Sequence, residues 1–167
     1  MPGTEMRPTP DRIRETLFDI LGPAVVGSTF LDAYAGTGAV GIEALSRGAT
    51  SAVFLEKHKG AVGLIRENLK SLGLEGRAVV IAGPALRELG KRRADFVFLD
   101  PPYPLEKEYA PALELIAGTG PRIVVAQHSV RFDPGDGCGA LVRYRVVRQG
   151  DNALSWYRGE SGPRMNA

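Results

Sequence analysis

The chain has 167 residues, enough for one domain with a substantial core, and 44% of them are hydrophobic. Its 21 basic and 19 acidic side chains leave a formal charge of only +2, so it is neither an acidic disordered chain nor a strongly basic tail. A lone cysteine, Cys138, excludes an intrachain disulfide, and two histidines with one cysteine, all widely spaced, make no metal site. No apolar run is long enough to span a bilayer and the start has no signal-peptide pattern, so a cytoplasmic location is expected.

In chain order, strands and helices alternate. Residues 1–6 form a short extension, and Thr9-Pro10 starts a helix with a capping hydroxyl and an N1 proline. Ile13, Leu17, Ile20 and Leu21 give that helix an apolar face. Thr29 to Tyr34 is a strand. Ala39 to Arg47 is a helix closed by Gly48, and Ser51 to Glu56 is the second strand. A helix from Lys59 to Leu72 ends at Gly73. Ala78 to Ile81 is the third strand, and Ala85 to Lys91 a short helix. Phe96 to Leu99 is a buried fourth strand, Leu105 to Ala117 a helix, and Arg122 to Ala126 the fifth strand. Ala140 to Val147 and Ala153 to Tyr157 alternate as an antiparallel pair around a Gly150-Asp151-Asn152 turn. The tail beyond Arg158 is expected to be disordered. The pattern predicts a single α/β domain over 1–167: a Rossmann-like, mostly parallel seven-stranded sheet with helices on both faces and a C-terminal antiparallel hairpin.

Two motifs carry chemistry. Gly36-x-Gly38-x-x-Gly41 joins the first strand to its helix and matches the dinucleotide fingerprint. Asp100-Pro101-Pro102-Tyr103 follows the fourth strand. Its prolines have no N–H, so the backbone there offers acceptors and few donors, while Tyr103 offers a flat face for stacking. Acceptors beside a stacking platform suit a planar group bearing an NH₂. In a 3-2-1-4-5 strand order the two motifs end neighbouring strands, where open α/β sheets bind ligands.

Glu56 ends the second strand, where a carboxylate can accept both ribose hydroxyls of an adenosine moiety. Asp32 lies just before the glycine loop, where it would repel a pyrophosphate but favour the sulfonium and ammonium of S-adenosylmethionine (SAM). These residues together favour SAM over a nicotinamide cofactor. A loop-ordering carboxylate that touches no ligand is the other reading of Asp32. Capping and packing in the first helix is the other reading of Arg7, Thr9 and Arg14.

The combination resembles the class I SAM-dependent methyltransferases that modify exocyclic amines. With Arg7-Pro8-Thr9-Pro10 through Phe18 at the start and Gly150-Asp151-Asn152 through Tyr157 at the end, it is similar to the RsmD family of bacterial small-subunit ribosomal RNA guanine-N2 methyltransferases. The resemblance implies transfer of a methyl group to guanine N2 in ribosomal RNA, within a small-subunit particle, by a monomer. It implies SAM on Asp32, Ala35, Gly36, Gly38, Gly41, Glu56 and Ala85, target chemistry at Asp100, Pro101, Pro102 and Tyr103, and RNA contacts from Arg7, Thr9 and Arg14. Trp156 and Tyr157 are assigned to the core. The chain departs from the family in its short opening segment, in Gly83-Pro84-Ala85 where the family has Asp or Asn before Ala, and in Gln127 where a Glu is common. Competing readings are an adenine-N6 or cytosine-N4 DNA methyltransferase and a non-catalytic RNA-binding assembly factor.

Overall fold

The computed structural model describes residues 11–159, so Arg7 and Thr9 lie outside the described residues. Helix α1 (Asp11–Leu21) precedes strand β1 (Thr29–Ala33), α2 (Ala39–Ser46), β2 (Ser51–Glu56), α3 (Lys59–Ser71), β3 (Ala78–Ala82) and α4 (Ala85–Glu88). Strand β4 (Phe96–Leu99), α5 (Tyr109–Ala117), β5 (Ile123–Ser129), β6 (Gly137–Cys138), β7 (Leu141–Gln149) and β8 (Asn152–Arg158) complete the domain.

All strands join one sheet in the order β3-β2-β1-β4-β5-β8-β7-β6. The first five pair in parallel, and β8, β7 and β6 add on antiparallel. The sheet thus has eight strands where the sequence pattern predicts seven. The extra strand, β6, is two residues against Leu141 and Val142, too short to show a period of its own. Two helices also begin or end in tighter turns than their periodicity suggests. Glu106–Glu108 forms a 3-10 turn before α5, and Leu89–Lys91 forms one after α4.

Alternation along the strands splits the core in two. Phe30, Phe54, Phe96, Phe98, Val125, Leu154 and Trp156 pack under α1, α2 and α3. Leu31, Leu55, Val97, Leu99, Val124, Ala126 and Tyr157 pack under α4 and α5. Trp156 and Tyr157 are completely buried on opposite faces of β8, in keeping with their assignment to the core. The central strands are buried on both sides, which explains their continuous apolar runs.

The helix-to-strand contact has one tight point. A Cβ added to Gly41 would sit 2.4 Å from the Phe54 ring. Gly41→Ala is therefore expected to destabilise the fold by about 1–3 kcal/mol through overpacking. Urea unfolding would show it as a lower midpoint at unchanged slope, and Phe54→Leu in the same chain should recover part of the loss.

Candidate active site

The register of the sheet gathers three acidic side chains. Asp32 lies opposite Phe54 of β2 and Phe98 of β4. Glu56 and Asp100 stand two positions beyond those partners, so the strand period puts Asp32, Glu56 and Asp100 on one face at the carboxyl ends of β1, β2 and β4.

The glycine loop folds around them. Ala35 N–H donates to the Leu55 carbonyl at 2.8 Å, and Gly38 N–H returns to the Ala35 carbonyl at 2.8 Å. Gly36 and Gly38 hold φ of +58° and +80°, conformations that side chains with a Cβ resist. Asp32 Oδ2 accepts the Gly41 N–H at 2.9 Å, tying β1 to the first turn of α2. The loop-ordering role read for Asp32 is thus present in the geometry. Glu56 Oε1 accepts the Gly36 N–H at 2.7 Å, and Oε2 accepts the His58 N–H at 2.9 Å. A carboxylate has about four acceptor positions. Two remain on Glu56 for a diol. A Cβ on Gly36 would meet nothing within 4 Å, so open space borders the loop there.

The electrostatics are those of crowded acids. Burial first, then the nearby charges of Asp100 and Glu56, hold Asp32 well above the usual carboxylate range, against the opposing pull of the Gly41 N–H. Asp100 is only partly shielded as a residue, but desolvation of its carboxylate pushes it up to about 7. A cationic ligand would relieve this repulsion, and an anionic pyrophosphate would worsen it.

Pro101 is buried beside Asp100, while Tyr103 is 83% exposed. Leu105 N–H donates to the Pro102 carbonyl at 2.7 Å, and no described residue donates to the Pro101 carbonyl. The loop therefore presents a carboxylate, an unused backbone acceptor and an exposed ring, as its sequence suggests. The Tyr103-Pro104 peptide is cis.

Several supports of the site carry no sequence signal. Tyr34 adopts φ +59°, rare for a residue with a bulky side chain. Its hydroxyl donates to Glu108 Oε1 at 2.5 Å, linking the glycine loop to the segment after Tyr103-Pro104. Burial, then that bond to Glu108, raises the Tyr34 hydroxyl pKa. The Tyr109 hydroxyl donates to the Gln127 carbonyl, pinning α5 to the end of β5. Strand β5 runs on to Ser129 and buries Gln127 and His128. His128 Nδ1 lies 2.8 Å from the Ser129 carbonyl, which fixes the proton there and leaves Nε2 to accept the Ser155 hydroxyl at 2.7 Å. Burial lowers the His128 pKa, keeping the ring neutral.

Ala85 opens α4 and is buried, with Pro84 as its cap residue in extended conformation. Arg14 lies on α1 with ion pairs to Asp11 at 3.1 Å and Glu43 of α2 at 3.8 Å, a packing role. Arg87, Lys91 and Arg92 surround Glu88, and Arg143 bridges Asp133 and Asp136. Among the described residues no group of three or more His, Cys, Asp or Glu is placed to hold a metal ion, and no helix is long and apolar enough to cross a membrane.

A parallel sheet in this order, with a glycine loop after β1, a buried carboxylate ending β2 and an Asp-Pro-Pro-Tyr loop after β4, defines a class I SAM-dependent methyltransferase. The residues fit SAM: open space at Gly36, free acceptor positions on Glu56, and an acidic surround for a cation. Comparisons agree. The model of the family described as "Conserved hypothetical protein 95" matches residues 1–158. YlbH of Bacillus subtilis, provisionally described as an rRNA methyltransferase, is 34% identical over 93% of this chain and 89% of its own. Ribosomal RNA small subunit methyltransferase D of Escherichia coli is 41% identical over 100 residues, 59% of this chain and 50% of that protein. A solved Escherichia coli structure, yhhF, provisionally described as a methyltransferase, superposes with a TM-score of 0.84 at 29% identity, covering 93% of this chain and 89% of that one. An RNA methyltransferase from Salinibacter ruber, solved with S-adenosylhomocysteine, shares the fold with a TM-score of 0.72 at 20% identity, covering 96% of this chain and all (100%) of that one. The chain belongs to this family, the RsmD group that its motifs resemble.

Proposed function

We propose that this protein methylates the exocyclic N2 amine of a guanine in small-subunit ribosomal RNA. The observation that carries it is the pairing of the Asp100 carboxylate with the unused Pro101 carbonyl beside the exposed Tyr103 ring. Ribosomal RNA as substrate is supported by the names of the relatives. The enzyme so proposed is a single-domain cytoplasmic monomer that meets its target in a small-subunit particle.

SAM, when bound, supplies an electrophilic methyl group. Glu56 would hold the ribose hydroxyls, the backbone of Ala35, Gly36, Gly38 and Gly41 would face the rest of the cofactor, and Ala85 N–H would meet the adenine. Asp32 holds the loop in shape through Gly41. The target base leaves its stack at a cost of a few kcal/mol, and stacking on Tyr103 returns about 1–3 kcal/mol. An exocyclic amine is a poor nucleophile because its lone pair is delocalised into the ring. Asp100 and the Pro101 carbonyl each accept one N–H, which favours the pyramidal amine and turns its lone pair toward the methyl group. The amine becomes acidic only once methylated, so Asp100 acts chiefly by positioning and then accepts the released proton. Arg7, Thr9 and Arg14 are the proposed RNA contacts.

The test is transfer of labelled methyl from SAM to unmethylated small subunits, naked small-subunit RNA and duplex DNA in parallel, with identification of the product nucleoside. Label on N2-methylguanosine is the expected result. Label on adenine N6 or cytosine N4 would overturn it.

A further inference from the structure

Among the described residues four buried side-chain polar atoms have no hydrogen-bond partner, on Arg92, Gln127, Tyr144 and Trp156, and of these Gln127 alone stands at the rung of Asp100. Gln127 is 5% exposed, and its Oε1 is buried without a hydrogen-bond partner. Buried side-chain oxygens are nearly always paired, and one left open at the end of a strand calls for a partner absent from the chain itself.

Its position says where that partner sits. Leu99 of β4 pairs with Ala126 of β5, so Asp100 and Gln127 occupy the next rung. Phe98 and Val125, one alternation earlier, both belong to the core under α1, α2 and α3. Asp100 and Gln127 follow on that same face, on neighbouring strands. The backbone of Gln127 is held from the other side by the Tyr109 hydroxyl, which fixes the residue without using its amide. By register, the Gln127 side chain with its unpaired oxygen therefore neighbours the carboxylate proposed to take the target amine.

The chemistry of the bases then discriminates. Beside its N2 amine, guanine carries the N1–H donor. Beside their amines, adenine and cytosine carry a ring-nitrogen acceptor. With its oxygen toward the base, as it stands, the Gln127 amide adds a third acceptor next to Asp100 and Pro101, which matches guanine and sets like against like at the ring nitrogen of the other two. We propose that Gln127 is the guanine-selecting residue of the site, its Oε1 accepting the N1–H of the target base. This rests on the guanine-N2 reading above and adds to it the residue that enforces the choice.

The experiment uses small subunits reconstituted with guanine or with 2-aminopurine at the position first mapped with the wild-type enzyme. 2-Aminopurine keeps the N2 amine and presents an acceptor at N1. The wild type should prefer guanine by about a hundredfold in kcat/KM, since an analogue that leaves a buried group unpaired is strongly rejected. Gln127→Met, nearly isosteric and without an acceptor, should shrink the preference to within about threefold, mainly by slowing guanine. Its melting temperature should stay level or rise, because replacing an unpaired amide removes a penalty. Gln127→Glu keeps an acceptor and should keep the preference. A parallel fall in both rates with Gln127→Met, or a lost preference with Gln127→Glu, overturns the proposal. A wild-type enzyme that labels no guanine N2 instead overturns the function, a separate outcome read before any variant is made.

Discussion

Asp100→Asn is expected to lower methyl transfer by about a hundredfold or more and, above neutral pH, to make the protein more stable. The first effect follows from replacing an acceptor by an amide that also presents an N–H donor to a donor amine. The second follows from linkage. The folded Asp100 carboxyl titrates at about 7 against an ordinary value of 3.8, because burial disfavours its charge. Below about pH 4 both folded and unfolded states carry the proton, so the burial costs nothing in ionisation. Between about 4 and 7 the unfolded chain has lost the proton and the folded one retains it, so stability falls as pH rises, levelling off above about 7. Asparagine does not titrate and escapes that loss. Melting temperatures of variant and wild type should converge near pH 4 and separate by several degrees at pH 8, at about 2–4 °C per kcal/mol for a domain of this size. The wild-type kcat/KM, which reports the free enzyme, should climb with pH through about 7 as Asp100 becomes a full acceptor. Equal melting temperatures at pH 8, or an Asn variant with undiminished transfer, would sink this account. SAM affinity should survive in the variant, since the residues proposed for the cofactor lie on the other loops.

That Asp32, Glu56 and Asp100 stand at or near strand ends was legible in the sequence, whereas their shared face follows from the strand register. Strand order was legible too: the glycine loop and the Asp-Pro-Pro-Tyr loop share a ligand only if their strands are neighbours. What stayed hidden depends on contacts between distant segments. Nothing local marks Tyr34 for positive φ or pairs it with Glu108, since that geometry exists only once the two loops meet. Gln127 and His128 are legible as the end of the fifth strand, but its polar last residue, Ser129, is not. These residues are held in the sheet by β8, which returns through His128–Ala153 and Ser129–Asn152 pairing. Arg87, Lys91 and Arg92 are close along the chain, and the fold gathers them around Glu88. Charge runs report composition, and only geometry reports what remains to bind a phosphate.

Glu56→Ala should show the largest loss of cofactor binding. The carboxylate accepts the N–H groups of Gly36 and His58, and in the proposed complex its remaining acceptor positions take the ribose hydroxyls. Truncation removes the ribose contacts and also frees the loop that shapes the pocket. Hydrogen bonds to a charged group are worth about 1.5–3 kcal/mol each, so two lost ribose bonds predict an affinity lower by at least about a hundredfold. SAM and S-adenosylhomocysteine should suffer alike, because they share the ribose and differ only at sulfur. That parallel separates a ribose contact from a purely electrostatic role, which would penalise the cationic SAM more. Calorimetric titration with both ligands reads the ratio directly. Glu56→Gln adds a control. Its amide has one oxygen for two backbone donors, so either Gly36 or His58 loses its partner, and both the melting temperature and the affinity should fall between wild type and the Ala variant. Unchanged affinity in Glu56→Ala would mean that the carboxylate serves only the loop, and the cofactor would then have to be held by backbone groups alone.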